Sequence, residues 1–280
     1  MAIEFTKMHG LGNDFVVVDL LTQRAELDPE RIRALADRHT GIGFDQLLVA
    51  EAPSTPDADF RYRIFNTDGS EAEQCGNGAR CIARFVRDRQ LTRKRRIVFE
   101  VPRGLITCQM HSEDQVEVDM GEPVFDPVAL PFVATAGAAL VEGGAHIRLG
   151  TEELEVTLVS MGNPHAVLFV DDIAATEVDR LGAALQQHPC FPESVNVGFC
   201  QIVDSGFLRL RVYERGVGET RACGSGACAA VAAAQRHGRC QGRVKVSLPG
   251  GKLRLAWQGP GHPITMAGPT AVVFEGRVDL

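Results

Sequence analysis

One short pattern occurs twice in this chain and limits what it can fold into. Residues 75–79 read Cys-Gly-Asn-Gly-Ala and residues 223–227 read Cys-Gly-Ser-Gly-Ala, and each leads into an apolar run. The two cysteines are 148 residues apart (223 − 75 = 148), and each follows a glutamate, Glu71 or Glu219, by four residues. Other landmarks recur in the same order. Gly12-Asn13 matches Gly162-Asn163 (163 − 13 = 150), Gln46 matches Asn196 (196 − 46 = 150), and Asn66 matches Glu214 (214 − 66 = 148). Ordered self-similarity at nearly one offset indicates an internal duplication. A length of 280 residues allows one or two domains, and the repeat selects two.

Each cysteine is predicted to sit at the N-terminus of a helix. Every residue from Ala227 to Ala234 is Ala, Val or Cys, so the second helix is apolar all round and must be buried. The first, running to about Arg89, is more amphipathic and is expected to be less enclosed. Free N–H groups and the positive end of the helix dipole then face each thiol, an environment expected to lower its pKa. Elsewhere helices are few. Asp28-Pro29 opens one, with Asp as cap and Pro at the first position, expected to reach about His39. Residues 175–187 read as another. The remaining periodic stretches are short strands without βαβ alternation. The fold expected is α/β (α+β), with two pseudosymmetric domains, each a curved, mostly antiparallel sheet or barrel around a central helix. The Pro-rich stretch 121–132 is the expected crossing between them.

A net charge of −7 argues against a nucleic-acid partner, and the basic run Arg93-Lys94-Arg95-Arg96 reads as a solvated loop. The opening MAIEFTKMHG lacks the apolar core of a secretory signal, and no apolar run suffices to span a bilayer. A soluble, cytoplasmic protein without membrane contact is expected. The eight cysteines form no C-x-x-C pair and no Cys/His zinc spacing, so free thiols and no metal are expected. Cys81 and Cys228 read as core residues. Cys108, Cys190, Cys200 and Cys240 receive no role.

Two helix-tip thiols can do one thing that a single one cannot. If they flank a carbon on opposite faces, one removes a proton and the other returns one, inverting the centre. Negative charge then moves onto an adjacent carboxylate, and the N–H groups of Gly76, Asn77, Gly224 and Ser225 are placed to receive it. No Rossmann fingerprint accompanies this pattern.

The motifs His9-Gly-x-Gly-Asn13-Asp-Phe, Asn66-x-Asp-Gly-Ser…Cys75-Gly-Asn-Gly-Ala-Arg80, Gly162-Asn163-Pro-His165 and Glu214-Arg-Gly-x-Gly-Glu-Thr-x-Ala-Cys223-Gly-Ser-Gly-Ala together resemble the diaminopimelate epimerase family over almost the whole chain. The resemblance implies a cofactor-independent, two-base isomerase interconverting LL- and meso-2,6-diaminoheptanedioate, a step of lysine and peptidoglycan-precursor synthesis. It implies a homodimer. It also implies a discontinuous first domain, residues 1–122 plus 270–280, a second domain of residues 123–269, and an active site in the cleft between them. Cys75 and Cys223 match the catalytic pair. Asn13, Gln46, Asn66, Asn163, Asn196 and Arg215 match substrate-binding positions, with Arg215 suited to the distal carboxylate. Glu214 and His165 match positions that tune the cysteines or bind the polar groups of the substrate. Ser225 stands where many relatives carry Thr.

Each of these asparagines also suits a turn or cap, and His165 a strand cap. His9, Asp14, Asp68 and Glu71 read as loop-shaping, Arg80 as a solvated or ion-paired helix residue, and Met161 as packing. Two other functions fit parts of the pattern: a proline or hydroxyproline racemase-like isomerase, and a non-catalytic amino-acid-binding or thiol-redox relative.

Overall fold

The protein is described by a computed structural model covering residues 2–72, 75–102, 104–135 and 137–279. The chain divides into two compact units, Met1–Asp119 with Ala267–Leu280, and Met120–Met266. The first contains β1 (Ala2–Gly10), β2 (Asn13–Asp19), α1 (Pro29–Ala36), β3 (Gln46–Glu51), β4 (Phe60–Asn66), β5 (Glu71–Ala72), α2 (Gly76–Asp88), β6 (Arg96–Val101), β7 (Gly104–Met110) and β8 (Gln115–Asp119). The second contains β9 (Ala138–Val141), β10 (Gly144–Leu149), β11 (Glu152–Ser160), β12 (Pro164–Phe169), α3 (Val178–Gln186), β13 (Asn196–Asp204), β14 (Phe207–Glu214), β15 (Gly218–Thr220), α4 (Gly224–Arg236), β16 (Arg243–Leu248) and β17 (Gly251–Trp257). Strand β18 (Ile264–Pro269) carries the chain onward, and β19 (Ala271–Asp279) pairs antiparallel with β1.

The duplication is a duplication of topology and register. β1–β2 and β11–β12 are antiparallel, β2–β3 and β12–β13 parallel, and β3–β4 and β13–β14 antiparallel. The parallel pairs align residue for residue: Phe15 stands opposite Gln46, and His165 opposite Asn196. A bidentate ion pair recurs as well. Arg63 donates to both oxygens of Glu71 at 2.9 Å, and Arg211 to both oxygens of Glu219 at 2.6 Å. Each ties a short strand, β5 or β15, against its neighbour just ahead of a cysteine.

The centre of each unit is its cysteine-led helix. α2 packs against β1, β2, β3, β4, β7 and β8, and α4 against β11, β12, β13, β14 and β17. Contrary to expectation, α2 is as enclosed as α4, with ten buried residues in each. Arg80 is the reason the sequence misleads. It is fully buried rather than solvated, and its guanidinium folds back along its own helix.

The flanking helices are shorter than expected. Asp28 caps α1 by accepting from Arg31 N–H at 2.8 Å, as the sequence indicates. The helix stops at Ala36 because the Asp37 carboxylate takes the N–H groups of His39 and Thr40. α3 starts only at Val178, after a turn in which Asp172 holds Ala174 N–H and the Thr176 hydroxyl. The 121–132 stretch holds one 3₁₀ turn, Pro127–Ala129. The β9–β10 hairpin was not foreseen, although Glu142-Gly143-Gly144 between two apolar runs is a turn signal, and Gly143 has φ +87°.

Ala230 is fully buried within α4. Ala230→Leu is expected to lose about 1–3 kcal/mol of stability by overpacking. Chemical denaturation showing a neutral or stabilising effect would contradict the tight wrapping of this helix.

Candidate active site

In the first unit, Cys75 is the N-cap of α2. Its backbone is extended (φ −144°, ψ 109°), and its Sγ accepts from Gly78 N–H at 3.3 Å. A sulfur therefore stands where a hydroxyl or carboxylate oxygen commonly caps. A Cβ at Gly78 would overlap the Tyr62 hydroxyl, which accounts for the second glycine of the motif. Asn13, at the start of β2, turns its Oδ1 to Asn77 Nδ2 (3.2 Å) and lies 3.9 Å from Cys75 Sγ. Asn77 Oδ1 accepts in turn from Arg80 at 2.9 Å. Gln46 and Asn66 face each other across β3 and β4, and Gln46 Nε2 donates to Asn66 Oδ1 at 3.0 Å. Gly76 is the first residue of α2, so its N–H has no partner within the helix.

The second unit repeats the device. Cys223 caps α4 with extended backbone (φ −115°, ψ 111°), and its Sγ accepts from Gly226 N–H at 3.3 Å. Gly224 opens the helix, and the Ser225 hydroxyl lies 3.6 Å from the thiol. Asn163 Nδ2 donates to Ser225 Oγ at 3.3 Å, and Asn163 Oδ1 meets His165 Nε2 at 3.0 Å. Asn196 is buried and engaged with backbone at both ends. It donates to Pro164 O at 3.0 Å and accepts from Arg215 N–H at 2.9 Å, which fixes the turn carrying Arg215. The Arg215 side chain is exposed and touches Glu193 O. Glu214 accepts from the Thr220 hydroxyl.

The electrostatics correct one expectation. Burial raises the Cys223 thiol well above its ordinary value, and the nearby Glu214 carboxylate adds to this. The hydrogen bonds from Ser225 and Gly226 pull the other way without prevailing. Desolvation thus outweighs the helix terminus, and Cys223 rests as a protonated thiol. Cys75 is only half-buried. Burial also pushes Cys81, Cys108, Cys190 and Cys200 up to about 12, and Cys240 to about 11, so these are inert.

Sequence reasoning missed three contributors. Arg80 is one, buried beside Asn77. Asp45 is the second, accepting from Asn13 Nδ2 at 2.9 Å. Tyr62, fully buried, donates to Cys75 O at 3.5 Å. Each belongs to a run that reads as ordinary helix, turn or strand, so only its neighbours in space disclose it. Among the described residues no group of His, Cys, Asp and Glu is placed to hold a metal, and no helix is long and apolar enough to cross a membrane.

A sheet wrapped twice around a helix capped by cysteine is shared by proteins of several activities, and the full-length relatives of this chain place it among the epimerases, a kind of isomerase. The fold is similar to that of a hydroxyproline epimerase from Agrobacterium vitis (TM-score 0.71, 16% identity, 99% of this chain and 92% of that one). It is likewise similar to a PhzF-family phenazine biosynthesis protein from Bacillus anthracis (TM-score 0.68, 16% identity, all of both chains). The sequence profile of the diaminopimelate epimerase family matches residues 5–126 and 157–273. The chain is 53% identical over the full length of both proteins to a diaminopimelate epimerase from Pseudomonas aeruginosa. It is 55% identical to one from a Psychrobacter species, over 99% of this chain and 94% of that protein. The chain belongs to the diaminopimelate epimerase family.

His165 yields a pH prediction. Burial lowers its pKa to about 3, and the Arg215 charge adds to this, so the folded protein holds it neutral. An unfolded chain binds the proton near pH 6.5, so this stabilisation is present above that pH and is lost as pH falls towards about 3. From pH 6.5 to 4.5 the loss is on the order of 2 kcal/mol. His165→Phe, which copies Phe15 at the matching position, is expected to lose less over that range. Parallel pH–stability curves for the two proteins would contradict a neutral His165.

Proposed function

We propose that the chain interconverts LL- and meso-2,6-diaminoheptanedioate by a two-base mechanism without a cofactor. The carrying observation is the repeated thiol cap: two units of one topology each present a cysteine Sγ at the tip of a buried helix. One thiolate takes the α-proton, so a C–H bond breaks and an S–H bond forms. The other thiol donates its proton to the opposite face of the same carbon. Atoms and electrons balance with no redox change. Cys223, held protonated by burial and by Glu214, suits the donor role in the resting protein. In the reverse direction the roles exchange.

The first-turn N–H groups at Gly76, Asn77, Gly224 and Ser225 suit the carboxylate on which charge accumulates. The exposed guanidinium of Arg215 suits the distal carboxylate, and Asn196 holds its backbone. Asn13, Gln46, Asn66 and Asn163 supply amide groups for the amino and carboxylate functions, with His165 and Glu214 acting on the polar surroundings of the thiols. A substrate with a single carboxylate, as in a proline racemase, would leave the Arg215 guanidinium with no carboxylate to bind. The likeness to the hydroxyproline epimerase, at 16% identity, is one of fold.

The reading extends to assembly and location. Val272, Val273 and Phe274 are exposed in succession on β19, an apolar stretch that suits the face of a homodimer. Eight free cysteines suit a reducing cytoplasm.

Two experiments test these statements. Reduced protein incubated with the LL isomer and no added cofactor should form the meso isomer. Cys75→Ala and Cys223→Ala should each lower kcat at least about 100-fold with unchanged folding. A single-cysteine variant that keeps substantial activity would exclude the two-thiol mechanism. For assembly, light scattering should give twice the 30.3 kDa chain mass, and Phe274→Asp should shift it towards the monomer. A monomeric parent protein would remove the dimer from the reading.

A further inference from the structure

The two asparagines that match each other across the repeat point their amides in opposite directions. In the first unit the Asn13 oxygen faces the cysteine helix, accepting from Asn77 Nδ2 and lying 3.9 Å from Cys75 Sγ. In the second unit the Asn163 nitrogen faces the helix, donating to Ser225 Oγ. The sequence explains the reversal. Asn13 Nδ2 donates to Asp45 Oδ2, whereas Asn163 Oδ1 meets His165 Nε2. The repeat places Phe15 where the second unit has His165 (165 − 15 = 150), and Val195 where the first has Asp45 (195 − 45 = 150). One partner lies on one flank in the first half and on the other flank in the second.

We propose that Asp45 is a positioning residue that fixes the Asn13 amide with its oxygen towards Cys75, the reverse of the polarity that His165 imposes on Asn163. A carboxylate only accepts and a guanidinium only donates. Arg80, Asn77, Asn13 and Asp45 form a chain with a donor at one end and an acceptor at the other, so neither amide between them can flip without losing two bonds. Asp45 is itself held. Its Oδ1 accepts from Arg38 at 2.8 Å, and its Oδ2 also takes the N–H of Asp14. Asp14 is bound by Arg38 and by buried Lys7. An acceptor oxygen beside Cys75 favours the thiol, while the Gly78 N–H favours the thiolate. Among the described residues, Tyr62 on β4 and Cys81 on α2 act on Cys75, Arg80 on α2 reaches it through Asn77 and Asn13, and Asp45, Asp14, Arg38 and Lys7 are linked behind Asn13. Replacing Asp45 by an amide removes the acceptor-only end. Asn13 is then held by its bond to Asn77 alone, and turning an N–H to the sulfur costs one bond instead of two.

This proposal rests on the epimerase reading for its effect on turnover, but its structural content is read at Cys75 alone. The experiment measures the pH dependence of Cys75 alkylation by peptide mass spectrometry in wild type and Asp45→Asn, together with kcat/KM. Work in about 1 M salt screens direct charge effects to roughly 3 Å and leaves the hydrogen-bond reversal. The expected result is a Cys75 alkylation midpoint lower by about one pH unit and kcat/KM lower by about tenfold. A folded variant with an unmoved or raised midpoint, or with kcat/KM within about twofold of wild type, overturns the proposal. Should Asp45→Asn not fold, Asp45→Ala is judged by the same criteria. If the wild type has no epimerase activity, the functional reading fails and the Cys75 midpoint alone decides the positioning role.

Discussion

The rest of the structure depends on a sulfur capping a buried helix. A helix N-terminus needs acceptors for its unpaired N–H groups, and here a cysteine supplies one in each unit. Capping brings the sulfur within 3.3 Å of a backbone N–H and holds the cysteine backbone extended. The glycine that donates has no room for a side chain in one unit, where Tyr62 occupies the space, and only a tight one in the other, against Val212 and the capping sulfur. Sheet, helix and thiol thus depend on one another, and the strands around each helix fix where the thiol stands.

Burial has opposing effects on such a thiol. The helix terminus favours the anion, while removal from water favours the neutral form. At Cys223 the second effect wins, reinforced by Glu214. That outcome suits the proton-donor role proposed for Cys223. The half-buried Cys75 stands in a different setting, with Asn13 Oδ1 nearby and Arg80 within the same hydrogen-bonded chain. The halves share a frame but surround their thiols with different partners.

Much of this was legible in the residues. The repeated Cys-Gly-x-Gly-Ala fixed the number of central helices and their caps, and Asp28-Pro29 fixed the start of α1. What the residues concealed is polarity and burial among neighbours distant in sequence. Arg80 looked solvated because arginine usually is, yet its local partners Gly76 O and Asn77 Oδ1 let it be buried. The end of α1 depends on the Asp37 carboxylate preferring a turn, which competes with helix propensity and is not decided by it. Asn196 matched a substrate position by its motif. Its bonds to Pro164 O and Arg215 N–H show a structural task that spacing alone does not carry.

The most direct measurement is where solvent deuterium goes at the start of the reaction. LL substrate incubated in D2O with reduced protein should give meso product labelled at the inverted carbon, while recovered LL substrate stays unlabelled at low conversion. Two thiols, each serving one face, produce that partition. Equal early labelling of recovered substrate and product would mean that a single group serves both faces, and would contradict the paired thiol caps as the catalytic device.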